Sequence, residues 1–141
     1  MTYAERVEQA RQCWNAADLD GYLTLYDESI KLHGYGPEPF DKATVVGFYQ
    51  GVWAAFAAEG APNPALEFHE VLEQGDLYCC RFTMCGVHQG DFMGVPATGR
   101  PYALAGITVM RFGGAATVVE RWSTADFFGL FMQLGAFPPR P

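Results

Sequence analysis

The sequence predicts an α+β fold, with helices covering one face of a curved antiparallel sheet and a pocket between the two layers. Three observations predict it. Apolar residues recur at helical spacing as far as Ala58, and period-two alternation takes over from about Ala65. Glycine-containing turns, Gly75-Asp76 and Gly113-Gly114, then divide the second half at hairpin spacing.

The first helix is predicted from Thr2 to about Ala17. Thr2 followed by Glu5 makes a capping box, and Tyr3, Val7, Ala10, Trp14 and Ala17 share one face. Asp18-Leu19-Asp20-Gly21 breaks this helix, and a short second one carries Tyr22, Leu23, Leu25 and Tyr26. Ser29 to His33 alternates as a short strand, after which Gly34, Gly36, Pro37 and Pro39 force a loop. Asp41 caps a long helix running to about Ala58. Its residues Val45, Phe48, Tyr49, Val52, Trp53 and Phe56 cover more than half its circumference, so it is buried on most sides or packs on a partner as well as its own sheet. Gly60 to Pro64 ends it.

Four strands follow, over about Ala65–Gln74, Leu77–His88, Arg100–Phe112 and Ala116–Ala125, with Gly90–Gly99 as a longer loop. Asp126-Phe127 opens a short apolar helix that ends near Leu134-Gly135. The tail Pro138-Pro139-Arg140-Pro141 cannot continue it. The sheet is thus a four-stranded meander plus one short strand. No repeat, linker or low-complexity segment interrupts the 141 residues, and one domain over 1–141 is expected.

Composition narrows the function. A chain that is 50% hydrophobic and 18% charged has enough apolar side chain for a core, which excludes disorder. No apolar run approaches the ~18 residues of a membrane span. The N-terminus enters a charged helical pattern at once, so no secretory leader is expected and a cytoplasmic location follows. A net charge of −7 without a basic patch excludes nucleic-acid partners. Cys13, Cys79, Cys80 and Cys85 form no C-x-x-C pair. Cys79 and Cys80 point to opposite faces of a strand, as small hydrophobes in a reducing compartment do. His33, His69 and His88 form no close ligand pair, and no metal site is expected.

Asp126 is the first candidate for chemistry. Period two on the last strand puts Glu120, Trp122, Thr124 and Asp126 on one face, and Val119, Arg121, Ser123 and Ala125 on the other. A carboxylate following Trp122 and preceding Phe127-Phe128 is expected to be poorly solvated, which raises its pKa and suits it to general acid/base work. The same aspartate is a favoured helix N-cap, and the two roles are compatible. His88, at the end of the second long strand, is a second catalytic candidate. His33 precedes the Gly34-Tyr35-Gly36 loop, and it and Tyr35 are candidates for a pocket mouth, while His69 is expected in a structural or surface role. Trp122 is either core or pocket wall. Arg121 is expected in a surface or interface pair, facing away from Asp126. No phosphate loop, G-x-S-x-G elbow or cysteine–base pair is present.

The segment Gly90-Asp91-Phe92-Met93-Gly94-Val95-Pro96-Ala97-Thr98-Gly99-Arg100 resembles the G-x-F-x-G-x-P-x-T-G-(R/K) stretch of SnoaL-like polyketide cyclases, also called ester cyclases. The likeness continues through Gly106, Met110-Arg111-Phe112, Val119-Glu120-Arg121-Trp122, Asp126 and the helix Gly129 to Gly135. It covers about the last 50 residues well, and the first 85 agree in element order. The resemblance implies the nuclear-transport-factor-like cone and a homodimer or higher oligomer. It implies a cofactor-independent aldol ring closure on a small hydrophobic molecule, with the acid/base aspartate at Asp126. His88 is then its helper, with His33, Tyr35, Tyr49, Trp53, Phe92 and Trp122 as substrate-binding residues. The alternative is a non-catalytic hydrophobic ligand-binding or dimerisation module of the same fold. This chain departs from the family in the aromatics of its covering helices, Trp14, Tyr26, Tyr35, Tyr49, Trp53 and Phe56. They are expected to narrow the pocket below the size of a fused-ring polyketide.

Overall fold

A computed structural model describes residues 1–136, so the proline-rich tail from Pro138 lies outside the described residues. Helix α1 (Tyr3–Asn15) begins at the capping box: the Glu5 amide donates to the Thr2 hydroxyl at 3.1 Å, and the Thr2 amide donates to the Glu5 carboxylate at 2.8 Å. Helix α2 (Leu19–Leu23) is little more than one turn, capped by Asp18. Strand β1 (Tyr26–His33) starts three residues earlier than the sequence pattern suggests, so Tyr26 is a strand residue. Lys42 makes the early switch tolerable. Its ammonium donates to the carbonyls of Leu23, the last residue of the short helix, at 3.1 Å and of Tyr26, the first residue of the strand, at 2.8 Å.

Helix α3 (Lys42–Phe56) is capped by Asp41, whose carboxylate accepts from the Thr44 amide at 2.9 Å. It stops two residues before Ala58 because its last carbonyls are taken by the sheet. Val87 donates to the Ala57 carbonyl at 3.1 Å and Gln89 to that of Ala55 at 2.9 Å. Only glycine fits at position 86 beneath this contact, since a Cβ there would lie 2.4 Å from the Phe56 carbonyl oxygen.

Strands β2 (Ala65–Gln74), β3 (Leu77–Val87), β4 (Pro101–Phe112) and β5 (Val118–Ala125) form the expected antiparallel meander. β1 joins its far edge parallel to β5, giving the order β1-β5-β4-β3-β2. Register shifts between Phe68 and Val71, Arg111 and Phe112, and Tyr26 and Lys31 break the ladders and curve the sheet. Helix α4 (Phe127–Gln133) closes the described chain.

The inner face of the sheet carries Leu66, Phe82, Met84, Tyr102, Leu104 and Met110, all buried under Val7 and Trp14 of α1 and Val45, Tyr49, Val52 and Phe56 of α3. Each such side chain contributes about 1.5–3 kcal/mol on burial. The outer face leaves Ile107 and Leu72 exposed. Cys80 is buried and its neighbour Cys79 half-buried, as the alternation requires. No helix of the described residues is long and apolar enough to cross a membrane.

Candidate active site

A cavity of about 60 Å³ lies between the helices and the inner face of the sheet. Tyr35, Tyr49 and Phe92 line it, together with Trp14, Phe56, Phe82 and Phe127. Phe92 is delivered by the 90–99 loop. The loop folds back on itself through paired Phe92 and Val95 amides at 3.0 and 2.8 Å, and Phe92 packs edge-on to Phe56 at 4.7 Å. The covering aromatics contact one another as well. Trp14 meets Tyr22, Tyr49 and Trp53 edge-on at 4.9, 5.5 and 5.2 Å, which leaves the small void.

Among the described residues, Arg121 is the one charged residue in the cavity wall. It is 5% exposed. Its Nε donates to the Thr108 hydroxyl at 2.8 Å, and Nη1 donates to the hydroxyls of Tyr22, at 2.8 Å, and Tyr26. The Tyr26 and Tyr49 hydroxyls lie 2.6 Å apart, and Thr108 is 3.0 Å from the Ser123 hydroxyl, so a polar network fans out behind the guanidinium. Burial opposes the charge on Arg121, and the hydroxyl oxygens around it favour the charged form by more, so Arg121 is a permanent cation. Burial pushes the Tyr26, Tyr49 and Tyr35 phenols up, so they are neutral around it.

Arg121 therefore is not a surface residue. The two-face alternation of β5 is as expected, with Arg121 and Ser123 opposite Trp122 and Thr124, but the inward face is the one that carries Arg121. The register shows why. Arg121 pairs with Met110, and Ser123 with Thr108, whose strand β4 turns Tyr102, Leu104, Met110 and Phe112 inward. Trp122 belongs to the outer face, where its ring stacks on His33 at 5.4 Å, lies under the Arg111 guanidinium at 5.6 Å, and stays half-buried. His33 is on the same outer face, its Nε2 2.7 Å from the Glu120 carboxylate. Neither His33 nor Trp122 lines the cavity.

Asp126 likewise lies outside it. The residue is exposed and caps α4, with its carboxylate accepting from the Gly129 amide at 2.8 Å. It borders an open cleft on the outer side of the sheet beside Arg81, Ile107 and Phe128. Of the aromatics expected to desolvate it, Trp122 is absent from this cleft, and Phe127 and Phe128 border it without covering the carboxylate, which stays exposed. Phe127 is common to both walls, bordering the interior cavity on one side and the Asp126 cleft on the other.

His88 is fully buried behind Phe56, ring on ring at 5.3 Å, and is absent from the cavity wall. Its Nδ1 accepts from the Thr98 amide at 3.2 Å, which leaves the hydrogen on Nε2, an atom without a partner. Trp53 is half-buried against Trp14, and its Nε1 is also sealed without a partner. His69 is partly buried, held 2.8 Å from the Thr83 hydroxyl. Among the described residues no group of three His, Cys, Asp or Glu side chains is placed to hold a metal ion.

Fold and site together define a protein whose helices and curved sheet enclose an aromatic small-molecule cavity with one cationic pole. The chain belongs to the SnoaL-like polyketide cyclase family, whose sequence profile matches residues 4–134. Its structure is similar to AclR from Streptomyces galilaeus, a candidate hydroxylase, at 28% identity and a TM-score of 0.82, covering 97% of this chain and 100% of that one. It is also similar to wild-type IdmH from Streptomyces antibioticus, a candidate polyketide cyclase, at 26% identity and a TM-score of 0.78, covering 96% and 99%. TsrD from Streptomyces laurentii shares the fold at 19% identity, a TM-score of 0.80 and 95% of each chain. No curated protein matches the chain in sequence.

Proposed function

We propose that this chain is a cofactor-independent enzyme acting on a hydrophobic carbonyl compound, by aldol cyclisation or isomerisation. The observation that carries the reading is Arg121: a buried cation, hydrogen-bonded to the hydroxyls of Tyr22 and Tyr26, set in the wall of an apolar cavity. Such a pole is suited to the negative charge that develops on an enolate or alkoxide oxygen, and the dry surroundings strengthen it. Family membership supports cyclase-like chemistry.

In this reading Asp126 is the acid/base, reached when the substrate displaces Phe127, the wall common to the cavity and the Asp126 cleft. The carboxylate takes a proton from a carbon between two carbonyls. The electron pair moves to the enolate oxygen, which Arg121 holds. The enolate carbon attacks a third, distal carbonyl of the same molecule to form the ring's carbon–carbon bond, and the new alkoxide recovers the proton from the Asp126 carboxyl group. The aromatic walls fold the substrate so that the reacting carbons meet. His88 acts behind Phe56, by holding that ring in place.

Deuterium exchange at the acidic carbon of a 2-alkyl β-keto ester, followed by NMR in heavy water, tests the proposal. The wild type should exceed buffer, and Arg121→Met and Asp126→Asn should each lose tenfold or more of the excess. No acceleration by the wild type sinks it.

One observation favours the binding-module alternative: no carboxylate or imidazole stands in the described cavity wall. A pure ligand-binding protein would need none. Asp126 would then be only a cap, and Asp126→Asn would leave ligand affinity unchanged.

A further inference from the structure

We propose that the cavity is a binding site for a compact organic carboxylate, held by Arg121 Nη2 at the polar end with its apolar body against the aromatic wall. The inference rests on the reading above for the place of the site and is independent of the reaction.

Charge is the first ground. Arg121 is 5% exposed, yet no ion pair among the described residues includes it. The nearest oxygens are hydroxyls of Thr108, Tyr22 and Tyr26. Burial keeps the Tyr26 phenol neutral, so the cluster supplies dipoles and no negative charge. A buried cation without a counter-charge is costly to the fold and is repaid by an anion that enters.

The second ground is the fork of the guanidinium. Nε and Nη1 are engaged by the protein, whereas Nη2 has no hydrogen-bond partner among the described residues. Nor is it sealed in: the sealed, unpartnered side-chain polar atoms are Trp53 Nε1 and His88 Nε2. Arg121 lines the cavity, so its unengaged donor is the one left for a guest.

The third ground is the rest of the wall. Away from Arg121 it is built of side chains such as Phe56, Phe82, Met84 and Leu104. An inorganic anion would satisfy the cation and leave that surface empty, whereas an organic carboxylate satisfies both. The volume of about 60 Å³ limits the body to a few carbons in the resting state. An apolar cavity that accepts benzene is more than twice as large, at about 150 Å³.

Butyrate and its uncharged isostere butyramide, titrated against the wild type at constant ionic strength and followed by NMR chemical shifts, test the inference without a variant. Butyrate should bind at least tenfold more tightly, with shifts centred on Tyr22, Tyr49 and Phe92. Arg121→Met should abolish the preference. Equal affinity for the two, or binding of neither, overturns the inference. So does chloride that competes as well as butyrate, which would make the site a counter-ion site only. A protein that prefers butyrate and exchanges no deuterium from the β-keto ester loses the enzymatic reading and keeps this one. One that exchanges deuterium without the preference does the reverse.

Discussion

Arg121 Nη1 donates to the Tyr22 hydroxyl at 2.8 Å, a contact between residues 99 apart in sequence. It ties the last strand to the short helix α2, and with the bond to Tyr26 it places the guanidinium between sheet and helices. The tie also leaves a cation where apolar packing would be more stable. Site and scaffold therefore pull in opposite directions at this residue.

Arg121→Met separates them. The substitution removes the desolvated charge and leaves the hydroxyls of Thr108, Tyr22 and Tyr26 to pair with one another and with Ser123 and Tyr49. Relief of the buried charge and loss of three hydrogen bonds are opposing terms of a few kcal/mol each. The net change in unfolding free energy should lie within about 1 kcal/mol of zero or favour the variant. Denaturant titration reads it, and a loss above about 3 kcal/mol would make Arg121 a structural tie first.

Asp126 is tested by a pair of substitutions. Because it is exposed and caps α4 through Gly129, Asp126→Asn should keep the cap and alter stability by no more than about 0.5 kcal/mol. Asp126→Ala should lose about 1 kcal/mol. A buried carboxylate would behave differently, its neutral replacement stabilising the fold. Stability equal in wild type and Asn variant, together with a fall in exchange activity, is the expected combination.

Much of this was legible from residue order. The Thr2–Glu5 box, the Asp41 and Asp126 caps, and all four meander strands are where local chemistry puts them. Of the six residues proposed from sequence to bind substrate, Tyr35, Tyr49 and Phe92 line the cavity. What failed was the choice of inward face on β5. Trp122 is the largest residue there and invites an inward reading, and alternation alone cannot say which of two faces is buried. The signal lay in the neighbouring strand: Tyr102, Leu104, Met110 and Phe112 share one face of β4, and the Gly113-Gly114 hairpin brings Arg121 opposite Met110. That pairing depends on a register shift near Phe112, which period-two counting does not see.

Gly86→Ala should open the cavity at its lower end. A Cβ at this position meets the Phe56 carbonyl oxygen at 2.4 Å and the Ala57 backbone at 3.1 Å, and neither is a flexible side-chain tip. The end of α3 must move off β3, carrying Phe56 away from Phe92 and His88. A stability loss of about 1–3 kcal/mol is expected, in the range for overpacked cores. Hydrogen exchange should rise at the Val87 and Gln89 amides, which donate to Ala57 and Ala55. Unchanged protection there would show that the helix end has room to absorb the methyl group.

Phe127→Ala should join the cavity to the Asp126 cleft, since this ring borders both. The half-buried ring stacks near Phe92 at 6.2 Å and meets Tyr35 edge-on at 5.9 Å, so some stability is lost with it. In return the enlarged space should admit single-ring carboxylates that the resting cavity excludes. Benzoate should bind the variant at least tenfold more tightly than the wild type. Equal affinity would mean that Phe127 already yields freely in the wild type.

The tyrosines fix the alkaline limit of the fold. Burial raises the phenols of Tyr26, Tyr49, Tyr78 and Tyr102 above their ordinary value of 10.0. Tyr102 also donates to the Phe56 carbonyl at 2.7 Å, a bond that the phenolate cannot make. Below pH 10 these groups are protonated in both the folded and the unfolded chain, so they add no pH dependence. Above pH 10 the unfolded chain releases protons that the folded chain retains, and stability falls as pH rises. Each such phenol contributes a slope of about 1.4 kcal/mol per pH unit until its folded-state pKa is reached. With Tyr35, which burial raises likewise, five such phenols together should make unfolding steep and cooperative, with phenolate absorbance appearing at the same pH as loss of the folded signal. Urea midpoints measured between about pH 8 and pH 11 should be level at first and then drop sharply. Phenolate that appears near pH 10 from Tyr26, Tyr35 and Tyr49 while the fold persists would show that the cluster around Arg121 admits water.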